Sequence, residues 1–364
     1  MAAAAIKPFE VPLRSIFLCF VCFVFFAGNS SAQSGRTKPT PTPTPNSISG
    51  PSANSTPRPT PVPTPLPAAT PKLDDDIIRV QSVLVPIPMI AMDARGRAVT
   101  TLKASDLELR IDGKVEEIDG LARSETPLRL VMLFDNSSSV SFVREFEIAA
   151  AVRFFRRVIR LDRDMAALFS VSDTIRLEQP LTRDVGDIVR TIESFPKPKG
   201  ATALFDGIVR AAAYLRGSDG RRVIVIVSDG EDTYSDTRTT LESVVRALQE
   251  NDCQVYVVKT KEFENFKRTG VRGGNANMRS LIAERRMAEI TAQTGGAVYS
   301  PIDEREMDDA FDRIYAELSQ QYIISYYPDE ETAAAGTYRR IEVASPNRKD
   351  LTIRTRKGYY VARK

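Results

Sequence analysis

From Pro127 onward the chain alternates unbroken apolar runs with helical patterns, and no other feature narrows its fold as far. The run "LRLVMLF" leads into "FVREFEIAAAVRFFRRVI", "DMAALFSVS" and "IRLEQPLT" read as a hairpin, and "VGDIVRTIESF" and "TALFDGIVRAAAYLR" read as helices. The strand "RRVIVIVSDG", the helix "TLESVVRALQEN", the strand "QVYVVKT" and the helix "SLIAERRMAEITAQTG" follow, then the strand "AVYSP" and the last helix, "EREMDDAFDRIYAELSQQ". A strand such as "VIVIV", with no polar alternation, needs cover on both faces, and strand-helix alternation implies parallel crossovers. The expectation for residues 127–320 is an α/β domain with a doubly wound, mostly parallel sheet.

The segments on either side read as β. In "LELRIDGKVEEIDGL" apolar Leu107, Leu109 and Ile111 alternate with polar residues, and "DGK" at 112–114 suits a hairpin turn. Pro86 and Pro88 cannot donate ladder hydrogen bonds, so part of the strand that holds them should lie on an edge or at a bulge. The tail "YIISYYPD", "TYRRIEVAS", "LTIRTRKGYYVARK" returns to strands with no helix between them. Residues 74–124 and 321–364 are therefore expected to pair as one small β module, with the α/β domain inserted between them.

Ahead of the module, Lys7 and Arg14 precede the apolar run "IFLCFVCFVFF", and "AGNSSAQ" follows, which reads as a signal peptide over residues 1–32 cleaved after Ala32. The run is well short of the roughly 20 apolar residues of a spanning helix. Bulky Leu18 and Val21 before the two cysteines argue against lipidation. Residues 33–73 read as a disordered proline- and threonine-rich linker, "TKPTPTPTPNS…", able to reach roughly 100 Å at about 3.1 Å per residue. The expected destination is periplasmic, cell-surface or extracellular. Cleavage would leave Cys253 as the one cysteine, so no internal disulfide is expected.

Composition excludes several chemistries. With 50 Lys+Arg against 47 Asp+Glu the net charge is +3, too little to hold nucleic acid by field alone. The chain has no histidine, the commonest general base and zinc ligand. No phosphate-binding glycine loop or dinucleotide fingerprint is present, so no nucleotide is expected.

What remains is oxygen. In open α/β sheets, ligands bind beyond the carboxyl ends of the strands. "VMLFDNSSSV" delivers Asp135 to that edge, with Ser137 and Ser139 alternating after it. "KGATALFDG" brings Thr202 and "VIVIVSDGED" brings Asp229 to the same edge. Two carboxylates and three hydroxyls suit Mg2+, Mn2+ or Ca2+ and disfavour zinc and copper. Serine and aspartate in such loops also cap helices, which is the bland alternative. Asp173, Asp206 and the acids of "EDTYSD" are expected to be turns, caps and solvated charge.

The order and spacing of "DNSSS" at 135–139, Thr202 and Asp229 resemble the metal-ion-dependent adhesion site of von Willebrand factor type A (VWA) domains. With "TGGAVYSP", "AELSQQYIISYYPD" and "RKGYYVA", the chain is most similar to the bacterial secreted VWFA-related family of acidobacterial type. The resemblance implies a Rossmann-like α/β fold and a magnesium-type ion. It implies direct ligation by Ser137, Ser139 and often Thr202, with frequently water-mediated contacts from Asp135 and Asp229. It also implies a protein partner whose Asp or Glu carboxylate completes the shell. Ser138 stands where many members have glycine, and the segment 261–280, "KEFENFKRTGVRGGNANMRS", is untypical and has no role assigned from sequence.

The function expected is a non-catalytic, secreted or envelope-associated protein-binding module. The alternative is an envelope scaffold or assembly factor in which the metal only stiffens the loops. An enzyme is not expected, because no nucleophile with a base and no acid-base pair can be named.

Overall fold

The computed structural model describes residues 84–273, 277–328 and 334–361. The expected signal peptide and linker, the first ten residues of the expected N-terminal β segment and residues 274–276 of the untypical segment lie outside the described residues. Chain order begins with β1 (Val85–Met92), β2 (Glu108–Ile111), β3 (Lys114–Glu116) and β4 (Gly120–Arg123). The α/β part comprises β5 (Leu128–Asp135), α1 (Arg144–Val158), β6 (Met165–Val171), β7 (Ile175–Thr182), α2 (Val185–Glu193), α3 (Leu204–Leu215) and β8 (Arg221–Ser228). It continues through α4 (Leu241–Glu250), β9 (Cys253–Lys259), α5 (Lys261–Thr269), α6 (Met278–Thr294), β10 (Val298–Tyr299) and α7 (Glu304–Ser319). Four further strands follow: β11 (Tyr322–Tyr326), β12 (Tyr338–Ala344), β13 (Thr352–Thr355) and β14 (Gly358–Tyr360).

The central sheet has the order β10-β9-β8-β5-β6-β7, parallel except for the antiparallel edge strand β7. This is the doubly wound α/β sheet that the apolar runs require. Along β5 successive side chains serve opposite faces. Leu130, Met132 and Phe134 enter a core with Phe154 and Phe155 of α1 and Phe311 and Ile314 of α7. Val131 and Leu133 enter a second core with Ile208 and Ala211 of α3, Leu248 of α4 and Met287 of α6. Each wholly buried aliphatic or aromatic side chain contributes roughly 1.5–3 kcal/mol, so two such cores hold the sheet without a cross-link. Cys253 is free and buried, and burial pushes its thiol up to about 12, which leaves it inert. Among the described residues no helix is long and apolar enough to cross a membrane.

The flanking strands form two four-stranded antiparallel sheets, in the orders β13-β1-β11-β4 and β14-β12-β2-β3. Each mixes strands from before and after the α/β part: β1 pairs with β11 and β13, β4 with β11, and β2 with β12. Ile87, Met89, Leu109, Ile111, Ile324 and Ile341 share their common core. The Asp112-Gly113 turn between β2 and β3 has φ of 51° and 83°, the left-handed pair that a tight two-residue hairpin needs. Pro86 and Pro88 sit on the half of β1 that pairs with β11 alone, while the half that pairs with β13 starts at Met89. The stretch "LTIRTRKGYYVARK" gives two strands in different sheets rather than one. It breaks before Gly358, where a Cβ would lie 2.3 Å from the Tyr338 ring and 2.5 Å from the Arg339 carbonyl oxygen.

Polar contacts join the β sheets to the α/β part where α7 runs into β11. Gln321, buried at the junction, donates to the Gln254 side chain at 2.9 Å and accepts from Arg221 at 2.9 Å. Glu317, near the end of α7, accepts from the Tyr299 hydroxyl at 2.6 Å and pairs with Arg354 of β13. Removing one partner of a buried pair strands the other charge, whereas replacing both with apolar groups does not. Glu317→Ala should therefore cost about 3 kcal/mol in denaturant unfolding, and the double variant Glu317→Leu/Arg354→Met should recover most of that loss. Equal losses in the single and double variants would contradict this account of the joint.

Candidate functional site

In the central sheet β5 runs to β6 on one side, and β8 lies on its other side. The strand order therefore reverses between β5 and β8, and their carboxyl ends define the crevice of an open α/β sheet. The parallel register, Leu128 opposite Arg221 through Phe134 opposite Val227, brings Asp135 and Ser228 to the edge together.

Asp135 is 1% exposed. One carboxylate oxygen accepts from the Ser137 amide at 2.9 Å, and the other accepts from the Ser228 hydroxyl at 2.6 Å. The Ser137 and Ser139 hydroxyl oxygens are 3.0 Å apart, and either can donate to the other. Neither serine caps α1, whose N-cap is Val143 with no side-chain bond. The capping explanation of the motif therefore does not apply to that helix. Ser138 between them points to solvent.

The three loops are stitched in series, the second to this one and the third to the second. Lys199 and Ser138 exchange bonds with Asn136 and Gly200: the Lys199 amide donates to the Asn136 carbonyl at 2.9 Å, and the Ser138 amide to the Gly200 carbonyl at 3.1 Å. Two residues on, the Thr202 carbonyl accepts from the amides of Thr233 and Tyr234 at 2.9 and 3.0 Å, and the Thr202 amide donates to the Thr233 hydroxyl at 3.0 Å. Thr202 and Asp229 are each 3% exposed. Asp229 accepts from the Glu231 amide at 3.0 Å, and its other oxygen faces the Lys261 ammonium at 3.8 Å. The structure thus carries Asp135, Ser137, Ser139, Thr202 and Asp229 on three interlocked loops at one edge. Asp232 accepts from the Phe205 amide and the Ser235 hydroxyl, and Asp206 holds the Asp236 amide, so these acids are structural ties.

Electrostatics at this edge are strained by burial. Burial, with the added charge of Asp229, pushes the Asp135 carboxyl up to about 6, against the opposing bonds from Ser228 and Ser137. Behind it lie groups that the sequence reading missed. Arg144 donates to the Asp135 carbonyl at 2.8 Å and stacks over the Phe134 ring at 4.5 Å. Burial lowers its guanidinium to about 10, although Glu147 and Asp135 favour its charge. Glu147 is fully buried, and neither oxygen makes a hydrogen bond of ordinary geometry. Burial pushes this carboxyl up to about 8, with the nearby Thr260 hydroxyl and Arg144 offsetting only part. The available signal was its position: Glu147 falls on the stripe of Val143, Ala150, Ala151 and Phe154, where an apolar residue belongs. Lys261 was hidden inside the untypical segment. Burial disfavours its charge, but Glu264, Asp229 and Glu231 together raise its ammonium above the ordinary value.

A carboxyl raised in the folded state destabilises the fold as pH rises, because the unfolded chain ionises first. For Glu147 the window runs from the ordinary 4.5 to about 8, with a slope of up to about 1.4 kcal/mol per pH unit. Glu147→Gln removes the titrating carboxyl, so the variant's stability relative to the wild type should rise from pH 5 to pH 8 in denaturant melts. A constant difference across that range would contradict the assignment.

The family model of the von Willebrand factor type A domain matches residues 130–231. No curated protein matches the chain in sequence. Among solved structures, the chain is similar to the PilB minor pilin from Streptococcus sanguinis, at 14% identity over 57% of this chain and 64% of that one, with a TM-score of 0.42. It is also similar to an aerotolerance-related membrane protein from Bacteroides fragilis, at 18% identity over 53% and 99%, with a TM-score of 0.39. The vWF domain of the type V pili tip protein Mfa5 from Porphyromonas gingivalis overlaps at 12% identity over 53% and 95%, with a TM-score of 0.41. The chain spans less than two thirds of the length of the minor pilin. The matched residues run from β5 through β8 and include all five oxygen-bearing residues of the edge: the chain contains a von Willebrand factor type A domain.

Proposed function

We propose that this edge binds one divalent cation, Mg2+ or its substitutes Mn2+ and Ca2+, and through it captures an Asp or Glu carboxylate of a protein partner. The observation that carries the proposal is the pair of serine hydroxyls 3.0 Å apart beside two buried acids. Octahedral magnesium with bonds of about 2.1 Å has ligands about 3 Å apart along each edge, so the spacing fits. The donor set is oxygen throughout. Among the described residues no group of three or more Cys, His, Asp or Glu gathers to hold a metal, so a cation here depends on hydroxyls and water. Ser137, Ser139 and Thr202 would hold it, with Asp135 and Asp229 supplying charge. A cation so incompletely neutralised attracts an outside carboxylate.

A non-catalytic role fits what the edge offers: its close carboxylate-hydroxyl pair, Asp135 with Ser228, is buried out of reach of a substrate. Export through residues 1–32 would place this module in the envelope or outside the cell, tethered by the linker at 33–73. An envelope scaffold is the second reading, and one observation favours it. Both Asp135 oxygens are already satisfied by Ser137 and Ser228, so the loop supports itself.

Calorimetric titration of Mg2+ and Mn2+ into the full chain should give saturable one-site binding. Affinity should fall at least tenfold, by about 1.4 kcal/mol or more, in Asp135→Ala and in Ser137→Ala/Ser139→Ala. Binding indifferent to these changes, or no binding at all, would sink the cation. Loss of melting temperature in Asp135→Ala with partner capture intact would favour the scaffold.

A further inference from the structure

The segment that sequence left without a role, 261–280, opens with a residue that faces the edge. Lys261 follows directly on Thr260, whose amide is bound by the Ser228 carbonyl at 2.9 Å, so its backbone is fixed beside the end of β8. Its ammonium lies 3.5 Å from Glu264, 3.7 Å from Glu231 and 3.8 Å from Asp229, and the side chain is 18% exposed. Three nearly equal, long separations describe a charge held loosely among three acids rather than locked to one. Lys259, the next cation along, is turned to Glu284 at 3.3 Å.

Helix electrostatics do not account for Lys261. It is the first residue of α5, where the positive end of the helix dipole disfavours a cation and where Glu262 and Glu264 are the residues expected. The carboxylate of Asp229, which receives one amide bond and otherwise faces this ammonium, does account for it.

We infer that Lys261 is a tethered competitor for the cation edge: its ammonium neutralises Asp229 and must draw back toward Glu264 before a divalent ion can take its place. The inference rests on the cation reading of the same edge and adds what sets its affinity. Glu264, the nearest of the three acids and one turn along α5, gives the ammonium somewhere to go without leaving the protein. The ammonium therefore raises the cation concentration at which the edge half-fills, so affinity is set by α5 as well as by the loops that carry the ligands.

Calorimetric titration of Mn2+ into the full chain tests this with Lys261→Met, which keeps the apolar stem, Lys261→Gln, and Lys261→Arg, which keeps the charge. The neutral variants should bind Mn2+ at least about tenfold more tightly than the wild type, since a like charge within a few ångströms is removed. The arginine variant should stay near the wild type. Wild-type binding with equal or weaker binding in both neutral variants would overturn the role of Lys261 and leave the cation reading standing. No Mn2+ binding by the wild type or by any folded variant would overturn both.

Discussion

Parallel pairing of β5 with β8 ends two strands side by side and sets two carboxylates, Asp135 and Asp229, in a place nearly closed to water. Like charges so placed repel, and desolvation removes the solvent that would screen them. The surrounding architecture answers this one constraint. Backbone amides of Ser137 and Glu231 and the Ser228 hydroxyl donate to the acids, Arg144 braces the Asp135 carbonyl from behind, and Lys261 brings positive charge to the front. A cation between the loops would relieve the same repulsion more fully, which is why the edge is read as a place for one.

Buried charge beneath the edge extends the constraint inward. Arg144 and Glu147 lie one helical turn apart on α1, both withdrawn from solvent, and Thr260 reaches the same region from the end of β9. An apolar side chain in place of Glu147 alone would leave the buried Arg144 charge with less compensation, so the two belong together. Glu147 ties the protonation of the core to the field of the edge, since Asp135 and Asp229 both act on it.

Much of this was legible in the sequence because it is local. Asp135, Ser137 and Ser139 alternate within five residues, and Thr202 and Asp229 each adjoin an element with a clear pattern. The unbroken strands fixed a sheet covered on both faces, and the returning strands of the tail called for partners in the N-terminal segment. What escaped depends on contacts far apart in the chain. The Ser228 bond to Asp135 needs β8 placed against β5, which no local pattern states. Helix α5 is short and polar, with Phe263 buried against Phe146 at 5.6 Å, and Phe263 and Phe266 are the only large apolar residues among its nine, so it read as an insertion. The division of the tail between two sheets hinged on the space that Gly358 leaves for Tyr338.

Backbone and side-chain hydrogen bonds fix the loops of Thr202 and Asp229, so a cation would meet a formed edge rather than create one. Anomalous diffraction from crystals of the protein grown with Mn2+ would locate the ion directly. The account predicts one strong manganese peak within about 2.3 Å of the Ser137 and Ser139 hydroxyls, with Lys261 turned from Asp229 toward Glu264. A peak elsewhere on the surface, or none at this edge with the serines still bonded to each other, would contradict it.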